Sequence, residues 1–175
     1  MKNKIIFAID AGNTQSGYAI ITMPDFELWA FGKIDNADLL EMLELGHYEE
    51  ECDIFAFEMV ASYGMPVGKD VFETCVSIGQ FEHAARYSAK HSEFNPKFKY
   101  IYRKDEKMTL CNSMKAKDSN IRQALINRYA KHDFKNGKGT KKNPDTFYGV
   151  SNDVWAAIAV GVTCYELESE GKHDD

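Results

Sequence analysis

Three acidic residues stand at positions where folding would gather carboxylates. Asp10 ends the apolar run "IIFAI", Glu58 ends the apolar run "IFAF", and Asp153 falls in the first turn of a predicted helix. Carboxylates crowded at the rim of a sheet repel one another, and either protons or a cation must relieve that repulsion. Hard oxygen ligands favour Mg²⁺ or Mn²⁺, and a pair of such ions roughly 3.5–4 Å apart can activate water for phosphodiester cleavage. The three acids together predict a metal-dependent nuclease centre.

Each acid also has an ordinary explanation when it is taken singly. A carboxylate at a strand end, such as Asp10, often accepts hydrogen bonds in the following turn, and the helix dipole alone would favour Asp153. The run "DAGNT", residues 10–14, is also similar to the first phosphate loop of ATP-using kinases. Glu58 is harder to explain, because "FAFE" would direct a carboxylate toward the core without a basic partner nearby. The set of acids favours the nuclease interpretation over an ATP-binding protein.

Length and composition argue against several other classes. The 175 residues suffice for one domain with a buried core, but not for the two lobes that such kinases pair around the nucleotide. The apolar stretch Ile5 to Ile9 is too short to cross a bilayer, and no signal peptide is apparent. The four cysteines are scattered without metal-ligand or disulfide spacing, and no hydrolase elbow or P-loop occurs. These features predict a cytoplasmic protein with reduced thiols and no membrane partner.

The net charge of −6 conceals a strongly basic middle segment. Residues 97–142 contain fourteen basic and four acidic residues, a net charge of +10, so the rest of the chain carries −16. One positively charged face of this kind is typical of a protein that binds a polyanion such as DNA. A basic surface that is merely solvated would give the same composition, so charge alone leaves both interpretations open.

The pattern of apolar residues predicts an α/β domain. Strands are expected at residues 4–10, 18–22, 27–34, 53–58 and 98–102, and the first three should form an antiparallel meander. A helical crossover returns the chain in the same direction, so the first and fourth strands should lie side by side and parallel at the centre. Their ends would then meet, which would make Asp10 and Glu58 neighbours.

Two helices are predicted in the first half of the chain. Asn36 is expected to cap a short helix that Gly46 ends, and a long helix should span residues 70–91. An apolar stripe at helical spacing is expected to face the sheet from the long helix, and it consists of Phe72, Cys75, Val76 and Gly79.

Two further helices complete a single domain at residues 1–168. One helix should begin near residue 118, and the last should be led by Ser151. Residues 132–146 are rich in glycine and lysine and almost free of apolar side chains, so they are expected to form a mobile basic loop. Residues 169–175 are expected to form an acidic tail.

Four stretches resemble the RuvC-like Holliday junction resolvases, particularly the small ones of bacteriophages and prophages. "FAIDAGNTQSGYAII" is similar to the family's opening, and "FAFEMVASYGMPVGKDVFETCVSIGQFEHAA" to its second motif and the long helix that follows. "MTLCNSMKAKDSNIRQALINRY" resembles its basic segment, and "YGVSNDVWAAIAVGV" its closing motif. The resemblance covers nearly the whole chain. It implies an RNase H-like fold with a mixed five-stranded sheet, made of the antiparallel meander plus parallel strands and flanked by helices.

The resemblance also implies an activity and its residues. Asp10, Glu58 and Asp153 would hold Mg²⁺, with Mn²⁺ as a substitute, and Lys107 would act in catalysis near the scissile phosphate. The protein would be a crossover junction endodeoxyribonuclease, a homodimer that grips a four-way DNA junction. Because a two-fold protein meets a two-fold junction, its two centres would nick symmetrically related strands.

One position departs from the family pattern. Cellular members carry an acid or a histidine one helical turn before the final aspartate, where this chain has Val150. Asn152, Asp145 or water would then supply a fourth ligand, and the sequence does not decide among them. The missing acid also leaves open a non-catalytic protein that binds branched DNA, beside the less favoured ATP-binding alternative.

The resemblance further suggests which residues contact DNA. The glycine-containing loop "SYGMPVGK", residues 62–69, follows Glu58 and would bring an apolar side chain against the bases at the branch point. Basic side chains of the middle segment would contact phosphates, which predicts an affinity that falls steeply with added salt. The predicted DNA-binding residues are Tyr63, Met65, Lys69, Arg103, Lys104, Lys107, Lys115, Lys117 and Arg122.

Overall fold

The computed structural model describes residues 3–46, 48, 52–93 and 95–171, which form five strands and five helices. The strands are β1 (Lys4–Asp10), β2 (Gln15–Met23), β3 (Glu27–Asp35), β4 (Ile54–Met59) and β5 (Lys97–Tyr102). The helices are α1 (Asn36–Leu45), α2 (Lys69–Lys90), α3 (Arg103–Cys111), α4 (Asp118–Tyr129) and α5 (Asn152–Ser169). No described helix combines the length and the apolar character that a membrane crossing requires.

The strands form one mixed sheet in the order β3-β2-β1-β4-β5. The pairs β1–β2 and β2–β3 are antiparallel, whereas β1–β4 and β4–β5 are parallel. β1 and β4 lie at the centre and are covered on both faces, which is why they read as continuous apolar runs. The predicted meander, the central parallel pair and the α/β class are confirmed.

Helices cover both faces of the sheet. On one face, Phe7 and Phe55 of the central strands pack in a cluster with Leu39 of α1 and Phe81 of α2. On the other face, residues of the opposite parity pack in a cluster dominated by α5, with contributions from α3 and α4. Alternate side chains of a strand point to opposite faces, so one central strand serves both clusters.

Small residues let α5 lie close to the sheet. A Cβ atom added at Gly161 would come within 2.8 Å of the Ile21 side chain and 3.2 Å of Ala8 Cβ. Such distances are shorter than ordinary contacts, so the helix and the sheet approach as closely as they do because residue 161 has no side chain. This close packing holds the middle of α5 against β1 and β2.

The predicted orientation of α2 is wrong. Phe72 and Val76 are each 61% exposed, and Cys75 and Gly79 are exposed as well. The sheet-facing stripe is instead formed by Thr74, Ser77, Ile78, Phe81, Ala84 and Ala85. Its two polar members can be buried because their hydroxyls donate to helix carbonyls four residues earlier, Thr74 to Asp70 and Ser77 to Glu73.

Two further local predictions are wrong. Residue 35, and not Asn36, is the N-cap of α1. The Asn36 side chain instead donates hydrogen bonds to the Gly12 carbonyl and to Ser77 Oγ, which holds the turn after β1 in place. The predicted elements also omit α3, because its sequence "RKDEKMTLC" is strongly hydrophilic.

The segment 132–146 is more constrained than its composition suggests. Asp133 Oδ2 accepts hydrogen bonds from the backbone N–H groups of Lys138 and Gly139, and Asp145 is buried and accepts several more. The composition predicts a mobile loop, whereas these two carboxylates tie its backbone together at both ends. The domain limits at residues 1–168 and the acidic tail stay predictions, and residues 172–175 of that tail lie outside the described chain.

Candidate active site

Asp10 and Glu58 meet at the ends of the two central strands. β1 and β4 pair in register up to Ile9 and Phe57, so the next residue of each strand is the acid. The two carboxyl groups share a hydrogen bond. Burial raises the pKa of Asp10 far above its ordinary range, and the contact with Glu58 and the nearby acidic charges raise it further. The predicted pairing of these two acids is present in the structure.

The first turn of α5 brings Asp153 beside them. Gly17 of β2 pairs with Asp10, and a Cβ atom at Gly17 would lie only 2.5 Å from the carbonyl oxygen of Asp153. The bare backbone of β2 therefore provides the space into which the helix start fits. The negative charge of Asp153 is close enough to raise the pKa of Asp10.

A lysine on β3 holds the Asp153 carboxylate. Lys33 pairs with Gly17 across the β2–β3 ladder, and its Nζ lies 2.5 Å from Oδ2 of Asp153. Both side chains are partly exposed, at 46% and 40%. A cationic side chain thus balances the charge of Asp153. No local sequence pattern indicates this ion pair, because its partners are 120 positions apart.

A fourth acid, Glu106 of α3, belongs to the same group. It is fully buried, and one of its carboxylate oxygens accepts a hydrogen bond from Arg103 Nη1. Burial raises the pKa of Glu106, the charge of Glu58 raises it further, and Arg103 opposes both effects. The charge of Glu106 in turn raises the pKa of Asp10. Three carboxyl groups, those of Glu58, Glu106 and Asp153, are therefore close enough to act on Asp10.

Sequence reasoning misses Glu106 because the apolar pattern does not mark α3 as a helix. One regularity does mark its position: Leu110 follows four residues later and is also buried, so the two side chains share the inner face of α3. The backbone N–H of Tyr102 donates to the Asp105 carboxylate, a capping interaction that begins the helix. A buried glutamate on a single short apolar stripe is hard to distinguish from an exposed one by pattern alone.

The side chains suit a hard divalent cation in type. Carboxylate oxygens are the ligands that Mg²⁺ and Mn²⁺ prefer, and the mutual repulsion of these acids is what a cation would relieve. Among the described residues, no group of three acidic, histidine or cysteine side chains has the spacing needed to hold a metal ion. Asp153 is paired instead with Lys33, so full coordination requires it to exchange the lysine for the ion.

The predicted candidates for a fourth ligand fare differently. Val150 is buried in the apolar cluster beneath α5 and offers no ligand atom. Asp145 is occupied: its oxygens accept from the backbone N–H groups of residues 131, 132, 133 and 146 and from the Thr146 hydroxyl. The side chain of Asn152 lies outside what the structure describes.

The basic residues predicted to contact DNA surround α3 and α4. Lys107 is half-buried on α3 next to Glu106, while Lys104, Lys115 and Lys117 are exposed. Arg103 pairs with the carboxylates of Glu106 and Asp118, and its contact with DNA stays a prediction. A phosphate contact by Arg103 would compete with these two carboxylates.

The remaining predicted contacts lie in the loop after β4, at the start of α2 and on α4. Tyr63 and Met65 are 64% and 72% exposed at the tip of the loop after β4, and Lys69 forms an ion pair with Glu73 at the start of α2. Arg122 lines a polar cavity of about 420 Å³ between α4 and the loop of residues 132–146, together with Lys135 and Lys138. Their roles in DNA binding stay predictions.

Solved structures of Holliday junction resolvases share this fold. The structure of Thermus thermophilus RuvC superposes with a TM-score of 0.68 at 14% sequence identity, covering 97% of this chain and 98% of that chain. T. thermophilus RuvC in complex with Holliday junction substrate gives a TM-score of 0.63 at 13% identity, covering 97% of each chain. The yeast mitochondrial Holliday junction resolvase Ydc2 gives 0.60 at 9% identity, covering 97% of this chain and 82% of that chain. No protein-family model and no curated protein sequence matches the chain.

These likenesses establish the class of fold. The mixed five-stranded sheet with helices on both faces has the fold of these solved resolvases, as the sequence resemblance predicts. The superposition covers nearly the whole chain, so no large described segment remains that could form a second lobe.

Proposed function

We propose that this protein is a metal-dependent endonuclease that resolves four-way DNA junctions by paired, symmetrical nicks. The observation that carries the proposal is the convergence of Asp10, Glu58 and Asp153 at the ends of the central strands, within a RuvC-like fold. A protein of this fold is known in complex with Holliday junction substrate, which supports branched DNA as the partner. The ATP-binding alternative gives Glu58 and Asp153 no shared task.

The acids would bind the metal ion, and one lysine would stabilise the charge that develops on the phosphate. Asp10 and Glu58 would hold Mg²⁺ or Mn²⁺, and Asp153 would join them on leaving Lys33. When bound, the ion supplies a Lewis acid for the phosphodiester and makes a water molecule more acidic. Lys107 would lie beside the scissile phosphate and offset the negative charge that develops as water adds to phosphorus and the bridging oxygen leaves.

The exposed stripe of α2 suggests how two such centres are paired. Phe72 and Val76 are large apolar side chains at 61% exposure, and they line one groove together with Asn13 and Thr14 of the loop after β1. An apolar face that continues into the loop following Asp10 suits a second copy of this chain, since a two-fold dimer would then place both acid clusters on one surface. The dimer presents two centres to the two-fold symmetric junction.

The oligomeric state tests this pairing. Replacing Phe72 and Val76 together by glutamate should convert a dimer to a monomer in sedimentation velocity at micromolar concentration. Trp29→Glu is the matched control, because Trp29 is also an exposed aromatic residue, at 43%, but lies on edge strand β3. A monomeric wild-type protein, or a dimer that persists in the double variant, would exclude α2 as the dimer interface.

The loop after β4 would meet the branch point. Tyr63 has a positive φ of 48° and precedes Gly64 at 82°, so the chain turns sharply in this loop. An exposed Tyr63 and Met65 could stack against unpaired bases there. Replacing both by serine should reduce cleavage of the junction; unchanged junction binding and cutting would assign the loop no role.

Cleavage of defined substrates tests the function itself. Wild-type protein, Asp10→Asn and Asp25→Asn would be incubated with a labelled four-way junction and the matching linear duplex, with EDTA, Mg²⁺ or Mn²⁺, and the nicks mapped. Asp25 is an exposed acid in the turn between β2 and β3, at the far end of the sheet from Asp10. We expect paired nicks in the junction alone, which require metal and Asp10 but not Asp25. Tight junction binding without nicking in either metal would identify a binding protein instead.

A further inference from the structure

We propose that Glu106 is a fourth acid of the metal centre, which supplies from α3 the carboxylate that Val150 cannot supply from α5. The proposal rests on the nuclease centre proposed above and adds a ligand to it. Family resemblance assigns no role to this position, and the acid expected one turn before Asp153 is an apolar core residue here.

The first support is the burial of Glu106 with half of its carboxylate unused. The side chain has no exposed area, and Oε2 accepts from Arg103. In the described part of the chain, the buried Oε1 has no hydrogen-bond partner. A buried carboxylate oxygen without a donor is costly, and nearly all buried polar atoms are satisfied in folded proteins. An oxygen in this state is available to a cation.

The second support is the direction in which Glu106 lies. Its charge raises the pKa of Asp10, and the charge of Glu58 raises the pKa of Glu106, so the three acids lie within electrostatic range of one another. α3 enters from the β5 side of the sheet, whereas α5 brings Asp153 from the β2 side. The two helices thus place acids on either side of the central pair.

The third support is the way that Arg103 holds the side chain. Arg103 donates one N–H to Oε2 of Glu106 and another to a carboxylate oxygen of Asp118, and neither of these bonds uses Oε1 of Glu106. Carboxylates that ligate metals are commonly oriented by a second hydrogen bond of this kind. Arg103 is accordingly a positioning residue. If Glu106 served only to hold Arg103, which links α3 to Asp118 of α4, a site beside two other carboxylates would weaken the fold without benefit.

Binding of Mn²⁺ alone, without DNA, tests the assignment. Titration calorimetry should show that Glu106→Gln weakens Mn²⁺ binding by at least about 10-fold, because loss of a group that merely orients a metal ligand already costs about 10–100-fold. Thermal unfolding of the same variant in EDTA should occur at no lower temperature than in the wild type, because a buried charge is removed and the amide oxygen still accepts from Arg103. Asp118→Asn is the matched control: it removes the other, 92% exposed partner of Arg103 and should leave Mn²⁺ binding within twofold.

Several results would overturn the assignment. Mn²⁺ affinity within twofold of the wild type in Glu106→Gln, with a lower unfolding temperature in EDTA, would make Glu106 a structural partner of Arg103. Equal weakening by Asp118→Asn would place the effect on Arg103 instead. Should Glu106→Gln fail to fold, Glu106→Asp withdraws the carboxylate by one methylene and should weaken Mn²⁺ binding at least fivefold; wild-type affinity would refute the proposal.

The outcome is separable from that of the nuclease proposal. Mn²⁺ binding that depends on Asp10 and Glu106, in a protein that cuts no junction, would overturn the nuclease function and leave this assignment standing. Junction cutting by the wild type, with Mn²⁺ binding unaffected in Glu106→Gln, would overturn only the role of Glu106.

Discussion

Gly17 offers a test of whether the position of Asp153 matters to the centre. A Cβ atom at residue 17 would lie 2.5 Å from the carbonyl oxygen of Asp153, 2.8 Å from its carbonyl carbon and 3.2 Å from its Cβ. Non-bonded heavy atoms meet at about 3.5 Å, so in Gly17→Ala the first turn of α5 must retreat by roughly 1 Å. The obstructing atoms are backbone, so no rotamer change can relieve the contact.

The displacement should cost activity more than stability. Overpacking of this kind destabilises by about 1–3 kcal/mol, which lowers the unfolding temperature by roughly 2–12 °C in a chain of this length. A displacement of about 1 Å at a catalytic group can cost on the order of 100-fold in rate. We therefore expect junction cleavage to fall about 100-fold in single-turnover assays at saturating protein, at a temperature where the variant is fully folded.

Gly161→Ala is the matched control for this experiment. It places a Cβ atom 2.8 Å from the Ile21 side chain, in the middle of the same helix, and should destabilise the protein similarly. Because Ile21 Cδ1 is the end of a flexible side chain, the first turn of α5 should stay in place, and cleavage should fall less than about fivefold. If both alanine variants lose the same activity, or if Gly17→Ala cuts as fast as the wild type, the proposed dependence on the position of Asp153 is refuted.

Three further predictions concern Lys33, Asp145 and the basic surface. Lys33→Met should tighten Mn²⁺ binding by roughly 1.5–5-fold in calorimetry, since an exposed ion pair with Asp153 is worth about 0.2–1 kcal/mol and competes with the metal; weaker binding would contradict that competition. Burial alone would raise the pKa of Asp145, but its backbone N–H donors outweigh burial and hold it well below its ordinary range of about 3.8. The contribution of Asp145 to stability is therefore fully present above pH 4 and is lost as the pH falls toward the lower folded-state pKa. Asp145→Asn should lower the free energy of unfolding by about 2–4 kcal/mol at pH 7 in urea, and it should weaken the loss of stability on acidification. An unchanged dependence of stability on pH would exclude this role. Replacing Lys115 and Lys117 by glutamine should reduce the slope of log affinity for the junction against log salt by about 1 for every phosphate that is no longer neutralised, whereas an unchanged slope would mean that these lysines are merely solvated.

The central strands and the two acids that end them follow from the amino-acid sequence without further information. The runs "IIFAI" and "IFAF" are apolar on both faces, which only a covered central strand allows, so Asp10 and Glu58 can be placed at one rim. The register of β1 and β4 then makes them neighbours. The first turn of α5 is predictable as well, because Ser151 and the small apolar residues after it mark a helix that packs on a sheet.

The face of α2 cannot be read from the pattern. Two stripes on that helix have helical spacing, and the prediction chose the one at its start, which holds Phe72 and Val76. The structure buries the other stripe, because Thr74 and Ser77 satisfy their hydroxyls within the helix and the sheet accepts small residues there. Local hydrophobicity states what a side chain prefers, while the neighbours decide what is covered.

The membership of the acid cluster depends on the packing of the whole chain. Glu106 lies on a hydrophilic helix whose burial depends on Arg103, Leu110 and the packing of α3 against α5. Lys33 reaches Asp153 across 120 residues of chain, through a strand register that no local pattern encodes. Charges act through space with a strength set by distance and burial, so which acids share a site follows from the fold and cannot be derived from the order of residues.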